Sequence, residues 1–255
     1  MNDAVLIERQ GAVAVLTMNL PQRRNALSPA LYQGLERHLR ELEDDASCRA
    51  IVITGGPHFC AGGELDGLSD VALDMRAAMR TGHRTVRAIV GGRLPVIAAV
   101  EGAAFGAGLS LAAACDFVVA DSRSRFGAVY GKVGLMPDWG ALWTLPQRIG
   151  LARARRLAMF AEVLDGAQAH AIGLVDFLAE DGGVLDHALQ RARRLAGAAP
   201  GAIAATKACL ARGPQSLDTL LDWEADTQAL LIGSADFAEG CAAFAGKRDP
   251  VFAGK

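Results

Sequence analysis

The chain has 255 residues, 51% of them hydrophobic and 21% charged, with a formal net charge of −2. That length suits one large domain, or one domain with a modest appendage. The balance excludes a nucleic-acid surface, which needs clustered basic charge, and no apolar run reaches the ~18 residues of a membrane span.

Short Val- and Ile-rich runs at 4–8, 13–18, 50–54, 96–100 and 117–120 predict strands bounded by turn residues. Helical patterns lie between them at 28–42, 71–90 and 109–114, the first opened by Ser28 as N-cap and Pro29 in the first turn. Mostly apolar strands alternating with helices predict an α/β fold with buried parallel strands. Past residue 138 the strand signal fades. Segments 139–148, 151–160, 166–171, 184–198, 200–212, 217–232 and 234–243 all read as helices. The expected organisation is an α/β core over 1–194 followed by a helical C-terminal region over 195–255.

Aromatics make up only 5% of the chain, so the core must be built from Ala, Val, Leu and Ile. Among the basic residues, Arg153, Arg155 and Arg156 have the spacing of a solvated helix face. Cys48, Cys60, Cys115, Cys209 and Cys241 are widely spaced with no CxxC. Together with an N-terminus lacking a signal-peptide pattern, they predict reduced thiols in a cytoplasmic protein. No histidine pair has metal-ligand spacing, so no metal is expected.

Three glycine-bearing segments follow predicted strands: Ile53 to Leu65, Val100 to Ser110, and Val133 to Gly140. Glycines past the carboxyl ends of parallel strands let a ligand approach backbone N–H groups. Gly102 to Gly108 reads GxxxGxG and lacks the dinucleotide pattern GxGxxG. Gly108 to Ala112 approaches a GxSxG nucleophile elbow but ends in Ala, and its Ser110 is not at a strand's end. Gly106-Ala107-Gly108 instead opens a short apolar helix whose first N–H groups are unsatisfied. With a second free N–H from the loop holding Gly62 and Gly63, it would form an oxyanion hole.

Together these segments resemble the crotonase superfamily, the enoyl-CoA hydratase/isomerase family. The resemblance rests on Asn19 to Ser28, Phe59 to Leu65, Pro95 to Gly102, Cys115-Asp116, Phe126-Gly127, Gly134 to Gly140, Gly173 to Val175 and Phe244 to Phe252. It implies a spiral of ββα turns with a helical C-terminal trimerisation region, assembled as a trimer or a dimer of trimers. It also implies an acyl-CoA thioester substrate handled through an enolate, with no cofactor beyond the coenzyme A of the substrate. The N–H groups of Gly63 and Ala107 fall on the oxyanion positions. Arg24, Ala26, Ala61, Leu65 and Lys247 fall where coenzyme A is contacted. Phe105, Ser110, Tyr130, Trp139 and Phe244 are the expected pocket residues, Phe244 and Lys247 through a segment that reaches a neighbouring subunit.

Family hydratases use two glutamates, and here those positions hold Ser110 and Tyr130. Neither is a carboxylate base near neutral pH. The one carboxylate in the right segment is Asp138, which matches the catalytic Asp of single-base isomerases of the family, the phenylacetate-pathway isomerase among them. After Pro137 it also has the sequence context of a helix N-cap. The expectation is an enoyl-CoA isomerase with Asp138 as acid and base. The alternatives are a hydratase, a hydrolytic or dehalogenase-like enzyme with Asp138 as nucleophile, and a non-catalytic CoA-binding homologue. Glu64, Asp66 and Glu101 are weaker candidates for a base, and Lys132 and His58 read as loop charges.

Overall fold

The computed structural model describes residues 3–255. Its larger sheet has six strands in the order β1-β2-β3-β4-β6-β9. β1 (Val5–Gln10) and β2 (Val13–Met18) form an antiparallel hairpin. β3 (Ala50–Thr54), β4 (Val96–Val100), β6 (Phe117–Ala120) and β9 (Phe177–Leu178) then follow in parallel. Side chains alternate across this sheet with period two. Leu16, Ile51, Ile53, Ala98 and Val100 join one core with α1 (Pro29–Asp44) and α3 (Ala107–Ala114). Val13, Val15, Val52, Ile97 and Val119 face α6 (Val184–Ala196), which buries Val184, Ala188, Leu189 and Ala192 against them. The central strands β3 and β4 are therefore buried on both faces, which is why they read as unbroken apolar runs.

A second sheet of three strands stands beside the first. β5 (Ala103–Phe105) pairs in parallel with β7 (Arg125–Gly127), and β7 pairs antiparallel with β8 (Val163–Asp165). None of these three strands, nor β9, was expected. Each has only two or three residues, too few for alternation to register. The expectation of helices alone after 138 is thus corrected by β8 and β9.

The remaining helices are α2 (Ala72–Gly91), α4 (Ala141–Met159), α5 (Gly166–Ala171), α7 (Pro200–Leu210), α8 (Leu217–Ile232) and α9 (Ala235–Ala245). Ser28 caps α1 as its sequence implies, accepting from Leu31 N at 3.4 Å, with Pro29 first in the helix. α4 is broken at Gly150, where φ is 74°, so it retains the two helical segments read from the sequence. Its start falls later than predicted because Trp139 and Gly140 both have positive φ. The C-terminal helices differ from α6. Leu217, Leu221, Leu230, Ile232, Phe237 and Phe244 are large, apolar and exposed.

Candidate active site

The glycine-bearing segments meet at the carboxyl ends of β3 and β4. Asn25 ties the first of them down. It is buried with φ 52°, and its amide donates to Gly55 O at 2.8 Å and His58 O at 2.7 Å while its Oδ1 accepts from Leu20 N. Asparagine tolerates this left-handed conformation better than most residues. A Cβ on Gly55 would lie 2.4 Å from the carbonyl oxygens of His58 and Phe59, so glycine is required there. Segment 24–27 then pairs with 61–64: Ala61 N donates to Arg24 O, Leu27 N to Gly62 O and Glu64 N to Leu27 O. This pairing leaves out the N–H of Gly63, which donates to no acceptor among the described residues.

The same loop is stitched to β5 on its other side. Cys60 N donates to Ala103 O at 2.8 Å, and Phe105 N to Cys60 O at 3.0 Å. α3 starts immediately afterwards with every residue buried. Gly108, in its first turn, lies so close to the loop that a Cβ would sit 2.4 Å from Cys60 O. Gly106, at φ 50°, makes the turn into the helix, and a Cβ there would be 3.8 Å from Gly62 Cα. Ala107 is the first helical residue, so its N–H has no intrahelical acceptor and lies at the positive end of the helix dipole. Gly63 and Ala107 both line one cavity of about 1100 Å³.

Asp138 enters the same cavity on a constrained loop. The flanking Trp139 and Gly140 have φ of 50° and 77°. Trp139 is buried against Tyr32, ring centroids 5.8 Å apart, and packs over Gly82 of α2, where a Cβ would be 2.8 Å from the indole. The N-cap reading of Asp138 is corrected here. Gly140 occupies the cap position with no side-chain cap, and the Asp138 carboxylate accepts instead from the Tyr130 hydroxyl at 2.6 Å. Tyr130 has one proton, given to Asp138, so in the 2.6 Å contact between the hydroxyls of Ser110 and Tyr130 the serine is the donor, its single proton leaving the longer 3.3 Å contact with Gly106 O. A chain of donation thus runs from Ser110 to Tyr130 to Asp138.

Burial pushes the Asp138 carboxyl above its ordinary value, against the opposing pull of the Tyr130 hydrogen bond and of His83 across the cavity. The Tyr130 phenol is driven up too, first by burial and then by the Asp138 charge, so it stays protonated and donating. The cavity thereby combines two backbone donors at touching loops with one carboxylate held in a largely apolar wall. A preorganised N–H pair of this kind stabilises developing negative charge on oxygen, each donor being worth ~10²–10³ in rate.

Of the residues singled out in the sequence, Gly63, Ala107, Asp138, Tyr130, Trp139, Ala61 and Leu65 share this cavity. Other expected pocket residues lie elsewhere. Ser110 is fully buried beneath Tyr130 and does not reach the wall. Phe105 turns its ring toward Gly127 in the second sheet. Phe244 is 88% exposed and lines a different cavity, of about 490 Å³, among the C-terminal helices. Arg24 and Lys247 are exposed, both with positive φ, and neither they nor Ala26 line the site cavity. Glu64 reaches the wall but is ion-paired with Arg23. Asp66, Glu101, Lys132 and His58 lie outside the wall. Sequence reasoning named no residue of α2, which contributes Met75, Ala78, Met79 and His83. It also passed over Asn25, whose signal was an asparagine between two predicted elements.

Similarity to known proteins agrees with this geometry. The family model described as enoyl-CoA hydratase/isomerase matches residues 8–255. The chain belongs to the enoyl-CoA hydratase/isomerase family. A 1,2-epoxyphenylacetyl-CoA isomerase of Escherichia coli is 36% identical over an alignment of 262 positions spanning all of both chains. A Rhodobacter capsulatus protein named a probable enoyl-CoA hydratase is 39% identical over 95% of each chain. The crystal structure of an enoyl-CoA hydratase from Polaromonas sp. JS666 superposes with a TM-score of 0.94 at 37% identity, covering 98% of this chain and 99% of that one. The crotonase fold expected from the motifs is therefore the fold of this protein. Relatives named as isomerases and as hydratases both occur, so the reaction has to be argued from the site. No helix of the described residues is long and apolar enough to cross a membrane.

Proposed function

We propose that the protein is an enoyl-CoA isomerase that moves a double bond from the 3,4 to the 2,3 position of an acyl-CoA thioester. The supporting observation is the Asp138 carboxylate, held by Tyr130 in the cavity that also receives the N–H groups of Gly63 and Ala107, whereas Glu64 in the same wall is ion-paired with Arg23 and Asp74 is exposed. In this reading the carboxylate removes a proton from C2, and the two N–H groups hold the negative charge that forms on the thioester oxygen. The resulting carboxylic acid returns a proton at C4, which restores the base and leaves the 2-enoyl thioester. The Tyr130 hydroxyl occupies Oδ1, so Oδ2 is the oxygen left to face substrate. Desolvation raises the carboxyl's proton affinity toward that needed for abstraction at C2.

Hydration is the competing reading, favoured by the name of the Rhodobacter relative. It needs a water held beside Asp138 by Ser110 or Tyr130; Ser110 is buried away from the cavity, and the Tyr130 hydroxyl, which lines it, already donates to Asp138 and contacts Ser110. Incubation with a 3-enoyl-CoA and analysis by chromatography and mass spectrometry separates the two. Isomerisation gives a 2-enoyl product of unchanged mass, whereas gain of one water would establish hydration.

The rest of the reading follows the family. Arg24, Ala26, Ala61, Leu65 and Lys247 are assigned to coenzyme A, which enters only as part of the substrate. The helical region from residue 195 is assigned to assembly as a trimer or a dimer of trimers, supported by the exposed apolar side chains of α8 and α9. Phe244 and Lys247 would then act on a neighbouring subunit's ligand. A cytoplasmic location is supported by the five unpaired cysteines.

A further inference from the structure

We infer that the acyl group this site takes is large, apolar and uncharged: a chain of about eight carbons or more, or an aryl group of similar bulk. The inference rests on the isomerase reading, whose enolate chemistry specifies only the thioester end of the substrate. The cavity holds about 1100 Å³. At ~30 Å³ for a water-sized group, which a methylene resembles, a four-carbon acyl group fills only ~120 Å³. The thioester and its pantetheine arm share this cavity, and a short acyl group would leave much of the remaining apolar wall unmatched.

The wall is built to contact apolar matter. Met75, Met79 and Met136 contribute flexible, polarisable side chains that adapt to irregular shapes, and Tyr32, Trp139 and Trp143 contribute aromatic surface. Charge points the same way. The acidic groups in the wall are Glu64, Asp74 and Asp138, no lysine or arginine of the described residues lines it, and His83 is its one basic side chain. Glu64 is already occupied by Arg23. A substrate carrying a terminal carboxylate would therefore bring a second negative charge beside Asp138 into apolar surroundings with no fixed cation, an arrangement that desolvation disfavours.

The test is calorimetric titration of the full chain with butyryl-, hexanoyl-, octanoyl- and adipyl-CoA, saturated thioesters with no double bond to shift. The expected result is about fourfold tighter binding per added methylene from butyryl to octanoyl, as transfer of CH₂ from water requires. Adipyl-CoA should bind at least tenfold more weakly than hexanoyl-CoA, which has the same chain length. Affinity independent of length, or adipyl-CoA binding as tightly as hexanoyl-CoA, would overturn the inference. Met79→Trp, which adds bulk to the wall, should weaken octanoyl-CoA at least tenfold; unchanged affinity would overturn it as well. Conversion of a 3-enoyl-CoA to the 2-enoyl product is read separately. Flat affinities with conversion intact sink the substrate class alone, and steep length dependence without conversion sinks the isomerase reading alone.

Discussion

Two walls of the same cavity are made in opposite ways. The loops around Gly63 and Ala107 present backbone, and their shape depends on the absence of side chains: a Cβ on Gly108 would be driven into Cys60. Helix α2 presents side chains, Met75, Met79 and His83, on a regular scaffold fixed by Thr85 donating to Tyr32 O at 3.0 Å and by Gly82 under Trp139. A backbone wall cannot drift without losing its geometry, whereas a side-chain wall can be rewritten residue by residue. On the proposed reading, this division would let one enolate-stabilising frame serve different acyl groups, as functions grafted onto a common fold do.

The comparison is broken most severely at Asp138, the one member of the proposed catalytic set that is a side chain. Asp138→Asn keeps an acceptor for Tyr130 but no base, so turnover should fall about a thousandfold. Its stability should move the other way. A carboxyl whose folded value lies above its unfolded one contributes stability below the unfolded value and loses it as pH rises through the folded value. At pH 7 the ionised Asp138 therefore opposes folding, and a thermal melt of the variant should be unchanged or higher by about 1–3 °C.

The backbone wall is tested next. Ala107→Pro removes the N–H at the first helical position, where proline fits, and should lower kcat by about 10²–10³ with the far-ultraviolet circular dichroism retained. A fall of less than threefold would remove this N–H from the chemistry. Gly108→Ala attacks the same wall through packing: the added methyl would lie 2.4 Å from Cys60 O and 2.7 and 2.9 Å from its Cβ and Sγ, and the melt should drop by several degrees. Met79→Ala on the side-chain wall should change the melt by less than Gly108→Ala does. The smallest effect sharpens the picture of the base. Tyr130→Phe deletes the hydrogen bond that opposes burial, so the Asp138 carboxyl should rise further. Activity at neutral pH should fall about threefold to tenfold, with the acid limb of the kcat/KM profile shifted to higher pH.

The same division governs what could be read from the amino-acid sequence. The backbone wall was legible because its requirement is local: Gly62-Gly63 and Gly106-Ala107-Gly108 sit just past strong apolar strands. Asp138 was legible through its motif, but its partner was not, since a cap after Pro137 and a Tyr130 contact share one local sequence. Helix α2 carries no local signal at all. The sequence reads only as a helix over 71–90, and packing alone shows that Met75, Ala78 and Met79 border a cavity. Ser110 and Phe105 failed for the same reason. Their positions along the chain are right, but a side chain one layer down or turned to the second sheet has no sequence mark. Strands β5, β7, β8 and β9 went unseen because two or three residues hold no period.

The most direct measurement is conversion of a 3-enoyl-CoA in D₂O, followed by chromatography and mass spectrometry for the native protein and for Asp138→Asn. The proposed mechanism requires a 2-enoyl product with the native chain, its C2 proton carried to C4 or exchanged for deuterium, and near-complete loss of both conversion and exchange in the variant while acyl-CoA binding persists. Exchange that survives in Asp138→Asn would contradict it, because the base would then have to be another group.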